Sequence, residues 1–308
     1  TWFPVRYTIK VKVSAQQCPL PSLDFVTLRI KDAICDRFRA ATGVRPDVGT
    51  RRPDIRIDAF LDRQNVTLYL DTSGEALFKR GLRTAVTEAP VRENLAAGIL
   101  QLAGWTAQQP LLDPMCGSGT FLLEAALIAH NIPPGLGRRF AFERLSNFHA
   151  RTWQTLCEAG RARQLRKAPC AIYGSDIHGA ALQAAQTNLQ AAGLVDTVAL
   201  KQADLLNLKP PAGEGILVTN PPYGVRLSDQ EQLAAFYPRL GDSLKQHFTG
   251  WRTYFFTADL RLPKLIGLAA SRRTPLFNGA LECRLFEFKI VSGTMRKLKG
   301  AEAEAKKK

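Results

Sequence analysis

The chain has 308 residues, 45% hydrophobic and 22% charged, and its 42 Lys and Arg against 27 Asp and Glu give a formal charge of +15. That length holds about two domains of ~150 residues, the composition excludes wholesale disorder, and no apolar run reaches the ~18 residues of a membrane span. The excess of cations points to a polyanionic partner, since Lys and Arg release condensed counterions when they neutralise phosphates; a merely soluble basic protein is the plainer alternative.

Val5, Tyr7, Ile9, Val11 and Val13 alternate with Arg6, Thr8, Lys10 and Lys12, the period of a strand with one buried and one basic face. Residues Asp24 to Ala41 read as a helix with an apolar face of Phe25, Leu28, Ala33, Ile34 and Phe38, stopped by Gly43. Alternation at Ile55 to Leu61 and at Val66 to Leu70 adds two strands, so a small α+β module over residues 1–75 is expected, followed by a linker over 76–108. From Gln109 to 292, short apolar runs alternate with helical stretches, which implies βα units around a mostly parallel sheet. The strands are expected near 110–113, 171–174, 198–200, 215–219 and 251–256, and the helices near 119–129, 179–192 and 229–247. A terminal strand pair is expected near 273–277 and 281–291, an Arg- and Gly-rich insertion over 131–169, and a basic tail over 293–308. Because the first residue is Thr1 rather than Met, an upstream part is expected to be missing. Six cysteines stand singly with no C-x-x-C pair, and His130, His149, His178 and His247 show no ligand spacing. Reduced thiols in a cytoplasmic setting, with no metal, are the expectation.

Asp113-Pro114-Met115-Cys116-Gly117-Ser118-Gly119-Thr120 follows a strand and opens a helix. Glycines there let the backbone approach a ligand, and a helix N-terminus offers unpaired N–H groups to a carboxylate or phosphate. The segment is neither a Walker loop nor a full G-x-G-x-x-G fingerprint, and a tight turn without a ligand remains an alternative. Asp176, at the end of the next strand, can accept both hydroxyls of a ribose. Asp204 can receive an adenine amino group, or it can simply cap a helix.

Asn220-Pro221-Pro222-Tyr223-Gly224 is the most specific segment. A base amino group is a poor nucleophile because its lone pair is delocalised into the ring. If the Asn220 side-chain oxygen and the Pro221 carbonyl each accept one N–H, the nitrogen is drawn toward tetrahedral geometry and its lone pair is freed for a methyl donor. Pro221 and Pro222 fix the carbonyl direction, and Tyr223 offers a face for base stacking. No strong general base is then needed; a Pro-rich turn with a packed tyrosine is the bland alternative.

With both motifs in this order, the chain resembles the amino-methylating class I methyltransferases. Residues 77–83, 89–96 and 131–135 narrow the resemblance to the THUMP-containing RNA guanine-N2 methyltransferases, and within them to the bacterial 23S rRNA enzymes, over about residues 1–292. The resemblance implies an N-terminal α+β THUMP module that grips RNA, joined to an α/β, Rossmann-like class I methyltransferase with a mostly parallel seven-stranded sheet. It implies that S-adenosyl-L-methionine is the donor. Asp113, Cys116, Gly117 and Gly119, with Pro114, Met115, Ser118 and Thr120 of the same turn, would line its methionine end. Asp176 and Ile177 would meet the ribose, Asp204 the adenine, and Asn220, Pro221, Pro222 and Tyr223 the target base, with Asn220 also bordering the donor. Pro90, Arg92, Glu93 and Asn94 match the segment that closes over the donor in that family. The small domain that usually precedes the THUMP module, and the second methyltransferase domain of some members, are expected to lie outside these residues.

Candidate RNA contacts are Lys10, Lys12, Arg51, Arg52, Arg138 and Arg139. In the insertion, basic residues interleave with Phe140, Phe142, Phe148 and Trp153, which are read as core before base platforms. The leading expectation is methylation of guanine N2 in 23S rRNA, with no obligate protein partner and no membrane. Behind it stand tRNA guanine-N2 methylation, DNA adenine-N6 methylation, and a non-catalytic RNA assembly factor.

Overall fold

The computed structural model describes residues 1–49, 51–82, 84–85, 91–222 and 227–291. The chain divides into two compact units, Thr1–Lys79 with Gly135–Ala162, and Arg80–Pro134 with Arg163–Lys308.

In the first unit, β1 (Ile9–Ala15), α1 (Leu23–Thr42), β2 (Ile55–Leu61) and β3 (Val66–Leu70) build a three-stranded sheet in the order β1-β2-β3. β1 and β2 run parallel with Ile9 opposite Ile55, and β3 returns antiparallel. The strict alternation in β2 buries Ile55, Ile57, Ala59 and Leu61. β1 starts later than the alternation suggests, because the Tyr7 N–H closes a turn onto the Pro4 carbonyl at 3.3 Å. α1 is capped at its start by Ser22, which accepts the Phe25 N–H at 3.2 Å, and at its end by Gly43 in the left-handed region with φ 76°. Its buried face differs from the expected one: Cys35 and Phe38 are buried, whereas Phe25 and Leu28 are 62% and 52% exposed. The helix meets the cluster of Phe3, Ile9, Val11, Ile55 and Ile57 on this small sheet through Ile30, Ile34, Cys35 and Phe38.

The second unit begins with α2 (Glu93–Leu102), β4 (Leu111–Asp113) and α3 (Thr120–Ala129). The chain then returns to the first unit for α4 (Ala150–Ala162). The expected insertion is therefore not a loop of the second unit over 135–162. Its Phe142 N–H bonds the Thr72 carbonyl at 3.0 Å, its Ser146 N–H bonds Trp2 at 2.9 Å, and Arg144 pairs with Asp54 at 3.2 Å. Trp153 stands edge-on to Phe140 and Phe142, at 5.6 and 5.0 Å between ring centroids, so these rings pack on one another.

The second unit continues through β5 (Ile172–Asp176), α5 (Gly179–Ala191), β6 (Val198–Gln202), β7 (Gly215–Thr219), α6 (Leu227–His247), β8 (Trp251–Thr257), α7 (Leu262–Leu265), β9 (Arg272–Asn278) and β10 (Leu281–Lys289). Seven strands lie in the order β6-β5-β4-β7-β8-β10-β9, with β10 antiparallel to both neighbours and β4 through β8 parallel. Strand alternation sends Leu111 and Ile216 into a core with α2, α3 and α5, and Leu112 and Leu217 into a second core with α6. Helices on both faces of a mostly parallel sheet make this a Rossmann-like α/β fold. Among the described residues no helix is long and apolar enough to cross a membrane.

Candidate functional site

β4 and β7 are adjacent and parallel, with Leu112 opposite Leu217, yet the chain leaves β4 toward β5 and leaves β7 toward β8. Loops that part in opposite directions open a crevice at the carboxyl ends of such strands. Asp113 and Thr219 end the two strands, so the glycine turn and the Asn220 loop flank this switch point.

The glycine turn is held from two sides. Gly117 and Gly119 have φ of 53° and 78°, and a Cβ on Gly119 would stand 3.0 Å from the Ala185 Cβ. The Gly117 N–H donates to Asp176 Oδ2 at 3.0 Å, and the Cys116 N–H donates to the Ser175 carbonyl at 2.9 Å, which ties the turn to the end of β5. Asp176 Oδ1 accepts the His178 N–H at 2.9 Å, so each of its oxygens still has a lone pair for a ligand. Ile177 is exposed at the end of β5, while Pro114, Cys116, Ser118 and Thr120 are buried and Met115 is half-buried.

Asp113 is 1% exposed. Burial lifts its carboxyl to about 7 and the Asp176 charge adds to that rise, against hydrogen bonds from the Thr219 hydroxyl at 2.8 Å and the Met115 N–H at 3.3 Å. Burial, reinforced by Asp113 and Asp176, pushes the Cys116 thiol far up, which makes it a packing residue rather than a nucleophile. Asp204 caps a short 3₁₀ turn, its Oδ1 accepting the Leu206 N–H at 3.0 Å, the capping alternative that its sequence position allowed.

Across the crevice, Asn220 Oδ1 is a buried acceptor with no hydrogen-bond partner among the described residues. Buried acceptors are nearly always paired, and this oxygen can receive a donor that a ligand brings. The loop is pinned just beyond it: the Tyr237 hydroxyl of α6 donates to the Pro222 carbonyl at 2.8 Å. Pro221 is buried and Pro222 exposed. Tyr223 and Pro90 lie outside the described residues. Glu93 is buried at the start of α2, with exposed Arg92 before it and exposed Asn94 after it.

Residues 80–287 match the family described as RMKL-like, methyltransferase domain, and residues 1–71 match the THUMP domain. The chain belongs to the RMKL-like methyltransferase-domain family. A protein of Syntrophotalea carbinolica named ribosomal RNA large subunit methyltransferase K/L is 43% identical over 295 residues, which are 92% of this chain and 41% of that protein. The chain thus spans about two-fifths of the length of the curated relatives of that name. A Synechocystis protein, provisionally named an RNA methyltransferase, is 37% identical over 290 residues, 94% of this chain and 76% of its own length. The crystal structure of SMU.472, complexed with SAH, superposes with a TM-score of 0.84 at 30% identity, covering 94% of this chain and 77% of that one. The fold is therefore the Rossmann-like class I methyltransferase fold that the two sequence motifs suggested.

Lys10 and Lys12 project from β1 opposite Arg56 and Asp58 of β2. With Arg51, Pro53 and Asp71 these four line a cleft of about 250 Å³ in the THUMP-containing unit. Arg52 is exposed and does not line it. Arg138 donates to the carbonyls of Ala76 at 3.2 Å, Ser73 at 3.4 Å and Glu75, and it stacks on Phe140 at 5.0 Å, so its guanidinium braces the chain; Arg139 is exposed. Two supports of the site carry no motif. Thr219 ends an apolar strand and Tyr237 falls within helical periodicity, so only the fold brings them to Asp113 and Pro222.

Proposed function

We propose that this chain transfers a methyl group from S-adenosyl-L-methionine to the exocyclic N2 amine of a guanosine in 23S rRNA. The observation that carries the reading is the buried, unpartnered Asn220 Oδ1 beside the glycine turn. A flipped-out base would place one amine N–H on that oxygen and the other on the Pro221 carbonyl, which exposes the nitrogen lone pair. When bound, the donor supplies the electrophilic methyl. The residues present fit such a donor. Gly117 and Gly119 supply the left-handed backbone that lets the turn fold tightly ahead of α3, and the N-terminus of α3 complements a carboxylate. Asp176 keeps lone pairs for ribose hydroxyls, and exposed Ile177 offers an apolar surface beside it. In this reading Asp113 would meet a cation at the methionine end, and Asp204 an adenine amine.

The basic cleft of the first unit supports RNA as the polyanion. Lys10 and Lys12 of β1 and Arg51 ahead of β2 present charge to one cleft, and phosphate contacts of this kind position a nucleic acid without reading its sequence. An activity on ribosomal RNA places the protein in the cytoplasm.

The test is incubation with methyl-labelled donor and separate rRNA, tRNA and DNA pools, followed by nucleoside analysis. Label in N2-methylguanosine of 23S rRNA is expected. Label confined to tRNA or to DNA adenine overturns the substrate. Absence of donor binding by calorimetry turns the chain into a non-catalytic RNA-binding protein.

A further inference from the structure

Asn188 lies on α5 and is 1% exposed. Its carboxamide makes five hydrogen bonds among the described residues, the longest of them accepted from the Thr84 hydroxyl at 3.5 Å. Oδ1 accepts the Thr84 N–H at 2.8 Å and the Ala85 N–H at 2.9 Å, while Nδ2 donates to the Ala85 carbonyl at 2.8 Å and to the Ser118 carbonyl at 2.9 Å. Both lone pairs and both protons of the amide are therefore engaged. Asparagine is a mediocre helix former, and a buried amide is costly unless fully bonded, so an alanine would be the simpler occupant of a face that already presents Ala181 and Ala185.

What the amide joins explains its presence. Ser118 sits between the two left-handed glycines of the turn after β4, and Thr84 and Ala85 belong to a stretch more than thirty residues earlier. One helical turn before Asn188, Ala185 lies against Gly119, whose added Cβ would come within 3.3 Å of the Ala185 Cα. Thus α5 offers the turn a small residue for close approach and then an amide to hold its main chain. We propose that Asn188 is a positioning residue for the donor site: it locks the glycine turn and the Thr84-Ala85 main chain at one spacing, so that losing the amide loosens the turn without touching the methyl-transfer chemistry. The ligand in this proposal rests on the reading of the turn as an S-adenosyl-L-methionine site; the clamp itself rests on the hydrogen bonds.

Two variants test it in the full chain. Asn188→Leu keeps the branched shape of the side chain and removes all five bonds, whereas Asn188→Asp keeps the acceptor contacts and removes both donations. Native-state hydrogen exchange of the Gly117 and Gly119 amides, which are bonded to Asp176 and Cys116, is expected to quicken at least about tenfold in both variants, the scale of one hydrogen bond, while the Phe255 amide in β8 is unchanged. The Thr84 and Ala85 amides are expected to quicken in Asn188→Leu alone. The Kd for S-adenosyl-L-methionine is expected to weaken about tenfold in both, with kcat at saturating donor within about threefold of the parent. Donor affinity equal to the parent, or turn amides that quicken only together with Phe255, overturns the positioning role. Should Asn188→Leu not fold, Asn188→Asp decides by the same two readouts. Should the parent itself fail to bind the donor, the functional reading falls, and the exchange of Gly117 and Gly119 still judges the clamp.

Discussion

The Thr219 hydroxyl donates to Asp113 Oδ1 at 2.8 Å, joining the ends of two neighbouring parallel strands through a fully buried contact. This bond favours the ionised carboxylate, whereas burial favours the neutral acid and holds Asp113 at about 7. The folded protein therefore keeps a proton that the unfolded chain releases near 3.8. Stability from this group is complete below that value and is lost as pH rises to about 7. Thr219→Val removes a donor that favours the charged form over the neutral one. Its cost is expected to be about 1–3 kcal/mol at pH 9 and clearly smaller at pH 5, read from urea unfolding at both values. An equal cost at both pH values would show that Asp113 does not titrate in this window.

Gly119 holds φ 78° with the Ala185 Cβ only 3.0 Å from where its own Cβ would lie. Gly119→Ala is expected to lose about 1–2 kcal/mol from backbone conformation alone, with donor affinity falling as the turn shifts. Gly98, inside α2 with no atom within 4 Å of an added Cβ, is the control. Gly98→Ala is expected to gain roughly 0.5–1 kcal/mol. Denaturation midpoints of the pair moving in the same direction would contradict this.

Arg80 and Glu124 form a bidentate pair at 3.0 and 3.2 Å, with side chains 11% and 2% exposed. Burial raises the Glu124 carboxyl, and Arg80 opposes that rise. Arg80→Ala leaves a buried acid without its cation and is expected to cost about 3–5 kcal/mol; adding Glu124→Gln should return much of it. Thermal unfolding of the single and double variants measures both effects. A double variant no more stable than Arg80→Ala would mean that the loss is one of packing.

Much of this architecture was legible in the sequence because the strand-helix alternation after Gln109 is regular and each apolar run is short. The glycine turn and the Asn220 loop were legible because their chemistry needs unusual residues in consecutive positions. What joins them was not. Thr219, Tyr237 and Asn188 are ordinary residues of a strand and two helices, and they gain meaning only when β4 lies beside β7 and α5 lies under the turn. The aromatic residues of the insertion pack on one another, as their reading as core expected, but its pattern does not show which unit it joins. Its aromatic and basic residues have the composition of a nucleic-acid surface, but Phe142 and Ser146 bond main-chain atoms of the first unit, and Arg138 braces the carbonyls of residues 73–76. Phe25 and Leu28 follow helical periodicity without being buried, since pattern alone cannot say how far a three-stranded sheet extends beneath a helix of 20 residues.

Lys12 lines the basic cleft of the first unit and is exposed. If the cleft carries RNA phosphates, Lys12→Ala will weaken binding to all RNA sequences alike and will lower the slope of log Kd against log salt by about 0.7–1. Binding isotherms between low and moderate salt measure this directly. An unchanged slope removes Lys12 from the interface.

The most direct measurement compares Asn220→Ala with the parent in single-turnover methylation of 23S rRNA, alongside calorimetric titration with S-adenosyl-L-methionine. The buried Asn220 oxygen is assigned to the amine, so the rate is expected to fall at least about 100-fold while donor affinity stays within about twofold. Turnover close to that of the parent would show that the amine is activated elsewhere in the crevice.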